Sequence, residues 1–380
     1  MRGKSIHRTD LNKEPEKFSS AKAPIVWIDT LWPFDGADAG STRTLAILKL
    51  LSQEGHKVVF VYLGLGFKPA TAPSVELVFS LPEASKRLSL SNYPDPYVWF
   101  SRVQSAVLWW TLASRYFSQS RTIFDTVDLT FRRLESIAKS QRSGIIFKLA
   151  ENFRSIESHF AQVSSKTLVV SDLERAELIA LTKASVQVIP TIHAPRPIPD
   201  SRTKSRGLVF IGNFAHFPNG EGLEWFLNEV WPLLSPRVKS EGLTILGKGA
   251  NKFAIRHSGT NIWFKGWVEN AAEEIIGARV SIAPLLSGAG VKGKISQSMS
   301  LGTPVVTTSI GAEGMGLADG RTALIADTSQ QFANAIEKLF SDPDLAKNMS
   351  RNSIEFAELC FGTGRAKQEL DKLMQELRDE

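Results

Sequence analysis

The chain has 380 residues, of which 43% are hydrophobic and 22% charged, and this globular composition excludes a disordered, fibrous or coiled-coil protein. Its length favours two domains, because a single core stops growing at about 250–300 residues. One cysteine, Cys360, excludes a disulfide framework and a cysteine-built metal site, and a net charge of +6 without a concentrated basic face argues against a nucleic-acid-binding protein.

The first 22 residues hold six Lys/Arg and three Asp/Glu and have little apolar content, so half of the excess charge lies there. We expect this segment to be a disordered tail. It has no apolar core, as a secretory signal would, and the sequence offers no run of about 20 apolar residues to span a bilayer. The single thiol fits a reducing compartment.

The ordered chain is predicted to begin with a β-loop-α-β unit. Ile25–Asp29 is a short apolar run typical of a strand buried in a parallel sheet. A loop rich in Gly, Asp and Ser follows and ends at Gly40 and Ser41. Residues 42–54 have helical spacing, and 58–63 form the next apolar run. This unit predicts a doubly wound α/β domain, with Gly40 and Ser41 at the carboxyl end of the first strand, where ligands usually bind.

Aromatic residues are then interleaved with arginines over residues 93–121, and the spacing of Leu, Val and Ala there predicts a helix. A second basic helix is predicted over 131–150, and a strand between the two runs into Asp125 and Asp128. Across residues 91–148 there are eight Lys/Arg and four Asp/Glu. Two interpretations stay open: the rings belong to the core, or they contact an anionic membrane surface.

A proline-rich stretch over residues 190–205 has no helix pattern and predicts a domain boundary. Strand patterns precede it at 166–171 and 186–189 and resume after it at 207–212, 243–246, 262–265, 280–283 and 304–308. We therefore predict a tail over 1–22, an N-terminal domain over 23–200 and a C-terminal domain over 201–380. The last helix either belongs to the C-terminal domain or packs back on the N-terminal domain.

The most informative segment is 280–317. A buried strand ends at Pro284, and the loop Gly288-Ala289-Gly290 leads into a helix predicted from about Val291. A glycine loop that enters a helix presents free backbone N–H groups and the positive end of the helix dipole. Lys292 and Lys294 in that first turn oppose the dipole, which makes sense if an anion such as a diphosphate binds there. A second glycine loop after the next strand contains Glu313.

These residues resemble the donor-binding region of group 1 glycosyltransferases (glycosyltransferase family 4), in the bacterial branch that builds surface polysaccharides. Three further segments fit the same family, namely 125–129, 212–219 and 266–269. The resemblance covers about residues 25–360. It implies an α/β protein of the GT-B fold, in which two Rossmann-like doubly wound domains face each other across a cleft. In that fold, residues 23–200 would form the acceptor domain and residues 201–380 the nucleotide-sugar donor domain.

The sequence departs from the family pattern at four positions. The family's Glu-x7-Glu pair falls on Ala289 and Gln297, so the first carboxylate is absent and the second is an amide. An arginine common after the first strand of the C-terminal domain is Asn213, and the family's catalytic-region histidine is Val127. A diphosphate would therefore rely on lysines and helix-end amides.

The resemblance implies a role for each candidate residue. Trp267 and Val268 would border the nucleobase, Gln297 would bind the ribose, and Gly290, Val291, Lys292 and Lys294 would bind the diphosphate. The complete set of donor-binding candidates is Gly40, Ser41, Asn213, His216, Trp267, Val268, Gly290, Val291, Lys292, Lys294, Gln297 and Glu313. The catalytic candidates are Asp128 and Lys294. The resemblance implies no metal, since the family needs none for its GT-B chemistry, and no cofactor, since the nucleotide-sugar is a substrate.

We therefore predict a retaining glycosyltransferase that transfers a sugar from a nucleotide-sugar to a glycan or lipid-linked acceptor. It would work in the cytoplasm, with possible peripheral contact to the inner face of the membrane and no nucleic acid partner. Two alternatives stay open. One is a GT-B protein that binds nucleotide-sugars without turnover, and the other is a scaffold protein that uses residues 93–121 as an interface.

Overall fold

The computed structural model describes residues 22–33, 39–64, 75–89, 95–193, 206–257 and 261–379. The expected tail therefore lies almost wholly outside the described residues, as does most of the proline-rich stretch. Within the described parts of the chain, the strands form two parallel sheets with helices packed on them. The α/β class and the pair of doubly wound sheets predicted from the sequence are confirmed.

The N-terminal sheet has the strand order β3-β2-β1-β4-β5-β6-β7. Its strands are β1 (Ile25–Asp29), β2 (Val58–Tyr62), β3 (Glu76–Val78), β4 (Tyr97–Ser101), β5 (Thr122–Asp125), β6 (Lys166–Val169) and β7 (Val186–Val188). Its helices are α1 (Ala39–Gln53), α2 (Leu81–Ser89), α3 (Arg102–Tyr116), α4 (Thr130–Gln141), α5 (Gly144–Val163) and α6 (Asp172–Thr182). Strands β1, β2 and β4 are buried along their whole length, as continuous apolar runs in a covered parallel sheet should be.

The C-terminal sheet has the order β10-β9-β8-β11-β12-β13. Its strands are β8 (Leu208–Ile211), β9 (Leu243–Leu246), β10 (Ile262–Gly266), β11 (Val280–Ala283), β12 (Val305–Thr307) and β13 (Leu324–Ile325). Its helices are α7 (Phe217–Trp225, continued by a π-helical turn), α8 (Pro236–Glu241), α9 (Asn251–His257), α10 (Ala271–Gly277), α11 (Gly293–Ser300), α12 (Ser309–Ala312), α13 (Ser329–Ser341) and α14 (Pro343–Phe361).

The last helix, α15 (Thr363–Asp379), packs on the N-terminal sheet although it follows the C-terminal one in the chain. Its buried face joins the core that contains Trp27 and Trp99, and the residues on that face are Ala366, Leu370, Leu373, Met374 and Leu377. A glycine, Gly362, separates α14 from α15. The chain therefore crosses between the two sheets twice.

The aromatic segment 93–121 is not one helix. Tyr97–Ser101 is strand β4 in the middle of the sheet, where Trp99 stacks on Trp27 of β1 with the ring centroids 4.4 Å apart. Trp99 and Phe100 are buried, and Trp109 and Trp110 are half-buried against the core. Of the two interpretations left open, the core interpretation is therefore the correct one for Trp99 and Phe100, because both rings lie in a central strand of the sheet.

Among the described helices, none is both long enough and apolar enough to cross a membrane.

Candidate functional site

The predicted site residues follow the carboxyl ends of the strands of both sheets. Because all strands within a sheet are parallel, these ends lie at one edge of each sheet. Gly40 and Ser41 start α1 after β1, and Asp128 follows β5. Trp267 follows β10, and Glu313 follows β12 and α12. The two edges face each other, because residues of α4 and α6 contact the loop that precedes α11.

The glycine loop before α11 has the backbone that its sequence predicts. Gly288 and Gly290 have φ angles of +119° and +70°, which residues with a Cβ rarely adopt. Helix α11 begins at Gly293, two residues later than predicted, and Lys292 is its N-cap without a side-chain cap bond. The first amides of α11 have no intrahelical acceptor, so this end presents N–H donors and the positive dipole end.

Lys292 is buried inside this turn, with 8% of its surface exposed. Its Nζ donates a hydrogen bond of 2.6 Å to the carbonyl oxygen of Gly290. Burial lowers the pKa of Lys292 to about 8, although the nearby carboxylates of Glu313 and Glu174 act in the opposite direction. The lysine is therefore held inside the loop, and the nearby carboxylates do not fully offset the cost of burying its ammonium group.

Lys294 is the second residue of α11, and its side chain points toward β8. Its Nζ donates to Oδ1 of Asn219 and sits 4.9 Å from the centroid of the Phe210 ring. Burial, and next the charge of Lys292, lower the pKa of Lys294 to about 7. An anion beside these two ammonium groups would stabilise their charged forms.

The start of α1 meets the start of α11. A Cβ placed on Gly293 would lie 2.3 Å from Cβ of Ala39, so only glycine allows this approach. Gly40 is half-buried there and Ser41 is buried. The structure therefore places Gly40 and Ser41 beside the amino end of α11.

Asn213 and His216 lie in the turn between β8 and α7. Oδ1 of Asn213 accepts from the amide of Ala215 at 3.0 Å, and its carbonyl oxygen accepts from Nδ2 of Asn219 at 2.7 Å. His216 is exposed and is the N-cap residue of α7. Asn213 thus positions Asn219, the residue that holds Lys294.

Trp267, Val268 and Gln297 complete the C-terminal set. Trp267 is 62% exposed after the positive-φ Gly266, so its ring is accessible to a flat ligand. Val268 packs against the apolar cluster that lies under α10. Gln297 and Val291 are half-buried, Gln297 on α11 and Val291 in the loop before it.

The two aspartates after β5 have different environments. Asp125 is buried and accepts from Nη1 of Arg43 at 2.8 and 3.0 Å and from Nε1 of Trp99 at 3.2 Å. Its hydrogen bonds therefore connect β5 to α1 and to the neighbouring strand β4. Asp128 is partly exposed and pairs with Arg133 at 2.9 Å. No group of three or more His, Cys, Asp and Glu suited to a metal occurs in the described parts of the chain.

Sequence reasoning missed a buried carboxyl group, Glu174 at the start of α6. Its Oε2 accepts from the amide of Val170 at 3.1 Å, and its Oε1 has no hydrogen-bond partner among the described residues. A Cβ placed on Gly290 would be 3.0 Å from this free oxygen. Burial, reinforced by the charge of Asp128, raises the pKa of Glu174 to about 7. In the sequence, Glu174 is part of a Ser-x-x-Glu pattern that is typical of an ordinary helix cap. Only the fold shows that Glu174 also lies beside Gly290.

Helix α4 also contacts the glycine loop, and this too was missed. Nη2 of Arg132 lies 3.0 Å from Oε1 of Glu313. The amide of Gly288 donates to Oγ of Ser136 at 2.7 Å, and Oγ of Ser140 donates to Glu221 of α7. The signal in the sequence was the spacing of these polar residues, four apart on one helix face.

Comparisons with known proteins agree with this architecture. Residues 205–342 match the family model described as "Glycosyl transferases group 1". A curated relative from Klebsiella pneumoniae, an uncharacterized 44.6 kDa protein in the cps region, is 31% identical over 160 residues. That match covers 40% of this chain and 41% of the relative.

Solved structures show the same fold at low identity. Sucrose-phosphate synthase from Thermosynechococcus elongatus has a TM-score of 0.74 at 18% identity, covering 94% of this chain and all (100%) of that one. HepE from Anabaena, solved in complex with UDP-glucose, has a TM-score of 0.66 at 12% identity, covering 93% and 99%. WaaG, a glycosyltransferase involved in lipopolysaccharide biosynthesis, has a TM-score of 0.66 at 13% identity and the same coverage. The expected GT-B fold is confirmed.

Proposed function

Because residues 205–342 carry a group 1 glycosyltransferase domain within a GT-B fold, we propose that the protein transfers a sugar from a nucleotide-sugar to a glycan or lipid-linked acceptor. The observation that carries the proposal is the amino end of α11. There a positive-φ glycine loop, helix-end amides, Lys292 and Lys294 meet at the cleft. The similar HepE structures hold UDP and UDP-glucose, which supports a nucleotide-sugar donor.

In the proposed reaction, the bond between the sugar and the diphosphate breaks and negative charge develops on the leaving nucleoside diphosphate. The ammonium groups of Lys292 and Lys294 and the amides of residues 289–293 would stabilise that charge without reorganising. Gln297 would hydrogen-bond the ribose and Trp267 would cover the base. The acceptor would bind at the N-terminal sheet, beside Gly40, Ser41 and Asp128.

Retention at the anomeric centre is part of the proposal and rests on the family resemblance. Proton NMR of the first product formed would measure it: an α-linked product from an α-linked donor supports retention, and a β-linked product contradicts it. Transfer in the presence of EDTA tests the expectation that no metal is needed.

The test of the proposal is a thermal-shift panel with UDP, GDP and ADP, followed by a donor-hydrolysis assay. A ligand at 100 times its dissociation constant should stabilise the fold by about 2.7 kcal/mol. Stabilisation by one nucleoside diphosphate together with release of the sugar supports the enzyme. Stabilisation without release in the presence of acceptor extracts supports a binding protein without turnover. No stabilisation by any of them contradicts the proposal and favours a scaffold.

Peripheral membrane contact in the cytoplasm is a further part of the proposal, on different side chains from those first expected. Among the exposed apolar residues of the N-terminal half are Ile145 (85% exposed), Phe147 and Leu149 at the start of α5 and Val107 and Leu108 on α3. The exposed Arg142 and Lys148 flank the start of α5. This mixture fits the headgroup region of an anionic bilayer.

Sedimentation with anionic and neutral liposomes at low and high salt tests this contact. The protein without residues 1–22 should sediment with anionic vesicles at low salt only, and an Ile145→Ser/Phe147→Ser variant should not. Deletion of the tail is essential, since its own positive charge could cause binding. If the tail-deleted protein stays in the supernatant, the contact does not exist.

A further inference from the structure

We propose that Arg132 of α4 is a donor-binding residue, whose guanidinium binds the diphosphate from the N-terminal side of the cleft. The inference rests on the proposed function and deepens it. It would replace the positive group that Asn213 does not provide on the C-terminal side. The donor would then contact both halves of the molecule through its diphosphate.

The geometry begins with one face of α4. Arg132, Ser136 and Ser140 are spaced by four residues, so they lie in a row along the helix. All three contact the C-terminal half, at Glu313, at the amide of Gly288 and at Glu221. Ser136 accepts a hydrogen bond from the glycine loop itself. Arg132 lies one turn earlier on the same helix face, so it is positioned at the edge of that loop.

Arg132, Lys292 and Lys294 bring positive charge to the edge of this loop. Arg132 and Glu313 both affect the ionisation of Lys292, Arg132 opposing its positive charge and Glu313 favouring it. Lys292 in turn opposes the charge of Lys294. Arg132 therefore lies within electrostatic reach of Lys292, and Lys292 within reach of Lys294, and a diphosphate carries the charge that would relieve this repulsion.

Arg132 also has bonding capacity that its neighbours leave unused. Its side chain is only 15% exposed, and Nη2 pairs with Glu313 at 3.0 Å. Nη1 is buried 3.1 Å from Oε2 of Glu177 and has no aligned hydrogen-bond partner among the described residues. A guanidinium offers five N–H donors in a fork that matches phosphate oxygens, so an anion could add to these contacts.

The alternative is that Arg132 only ties α4 to its neighbours through ion pairs, and the experiment separates the two roles. Dissociation constants for UDP and UMP would be measured by calorimetry for the wild type, Arg132→Gln, Arg132→Lys, Glu177→Gln and Lys139→Gln. Glu177→Gln removes an ion-pair partner of Arg132. Lys139→Gln removes an equal charge from an exposed position on the same helix.

If Arg132 binds the diphosphate, Arg132→Gln should weaken UDP binding at least tenfold and UMP binding less than threefold. Arg132→Lys should fall between the wild type and Arg132→Gln. Glu177→Gln and Lys139→Gln should bind UDP within twofold of the wild type. Equal losses in Arg132→Gln and Glu177→Gln would overturn the inference, because they would mean that the ion pair itself matters.

Failure of the inference and failure of the proposed function look different. If the wild type binds none of UDP, GDP and ADP, the proposed function is wrong. If it binds one of them and Arg132→Gln binds it equally well, only the role of Arg132 is wrong. If the thermal-shift panel shows that GDP or ADP stabilises the wild type, that nucleotide is used in place of UDP. Melting temperatures that match the wild type confirm that the variants are folded.

Discussion

At the residue scale, Lys294 is a cation of the proposed diphosphate site that one substitution can test. It sits in the first turn of α11 and has a pKa of about 7 because of burial and of Lys292. Lys294→Ala should weaken nucleoside diphosphate binding by about 1.5–3 kcal/mol, the range for a charge-assisted hydrogen bond. Lys265→Ala, which removes an exposed lysine paired with Glu274, is the control. Unchanged affinity in Lys294→Ala would remove this lysine from the site.

The same lysines predict how binding depends on pH. In the free protein Lys294 and Lys292 lose their protons near pH 7 and 8, and a bound anion raises both pKa values. Binding therefore takes up protons, and affinity should fall as the pH rises from 7 to 8.5. Glu174, with a pKa of about 7, gains negative charge over that range and acts in the same direction. Calorimetry should find a shallower fall in Lys294→Ala, and an affinity independent of pH would contradict the assignment.

Gln297 provides a test of the amide that stands where the family has a carboxylate. Gln297→Glu should keep transfer activity, because either side chain accepts a hydrogen bond from a ribose hydroxyl. Gln297→Leu should reduce activity, because it leaves ribose hydroxyls without a partner. Initial rates at several donor concentrations would measure this. Three equal rates would show that Gln297 does not contact the donor.

At the element scale, α4 depends on a carboxyl group from its neighbour. The oxygens of the buried Glu157 on α5 accept from the amides of Thr130 and Phe131, at 2.9 and 3.0 Å. Glu157→Gln has one acceptor oxygen and leaves one buried amide unpaired, so unfolding in urea should require about 1–3 kcal/mol less. Glu151→Gln, on an exposed position of α5, should change stability little. Equal stability of both variants would show that the cap is dispensable.

Glu157 also contributes to the pH dependence of stability. Burial raises its pKa to about 8 in the folded protein, against 4.5 for the unfolded chain. The folded state therefore binds this proton more tightly, and the contribution of Glu157 to stability falls as the pH rises from about 5 to 8. The Glu157→Gln variant should lack that part of the fall.

The sequence predicted most elements but not every boundary. Glycines, prolines and apolar runs marked β1, β9 and β11 correctly. Strand β4 was missed because Ser101 leads directly into α3, with no glycine or proline between them. The aromatic run then continues the helical spacing, and only the sheet order shows that it begins as a central strand.

The candidate site divides in the same way. The glycine loop and its lysines are contiguous in the chain, so their pattern was readable. Arg132 and Glu174 lie more than 100 positions away from that loop, on helices with ordinary charged surfaces. Only the way the two sheets face each other brings them to Gly290 and Glu313.

At the scale of the whole molecule, α15 joins the two halves. Leu373 of α15 is fully buried in the N-terminal core, and Leu339 of α13 is fully buried in the C-terminal core. Leu373→Ala and Leu339→Ala should each destabilise by about 2–5 kcal/mol. Calorimetry with limited proteolysis should show that Leu373→Ala exposes cleavage sites before residue 193, and Leu339→Ala sites after residue 206. Cleavage in the same half for both would mean that the cores are not separate.

The two crossings between the sheets lie side by side. The amide of His193, where the first crossing leaves the N-terminal half, donates to the carbonyl oxygen of Phe361 at 2.8 Å, next to the second crossing at Gly362. Nε2 of His193 also lies 2.8 Å from Oγ of Ser296 on α11. Two connections joined at one point act as a pivot, and rocking about it would have to break the contacts of α4 with Gly288, Glu221 and Glu313. Any widening of the cleft would then be largest at the side farthest from His193, and α11, tied to the pivot, would move least.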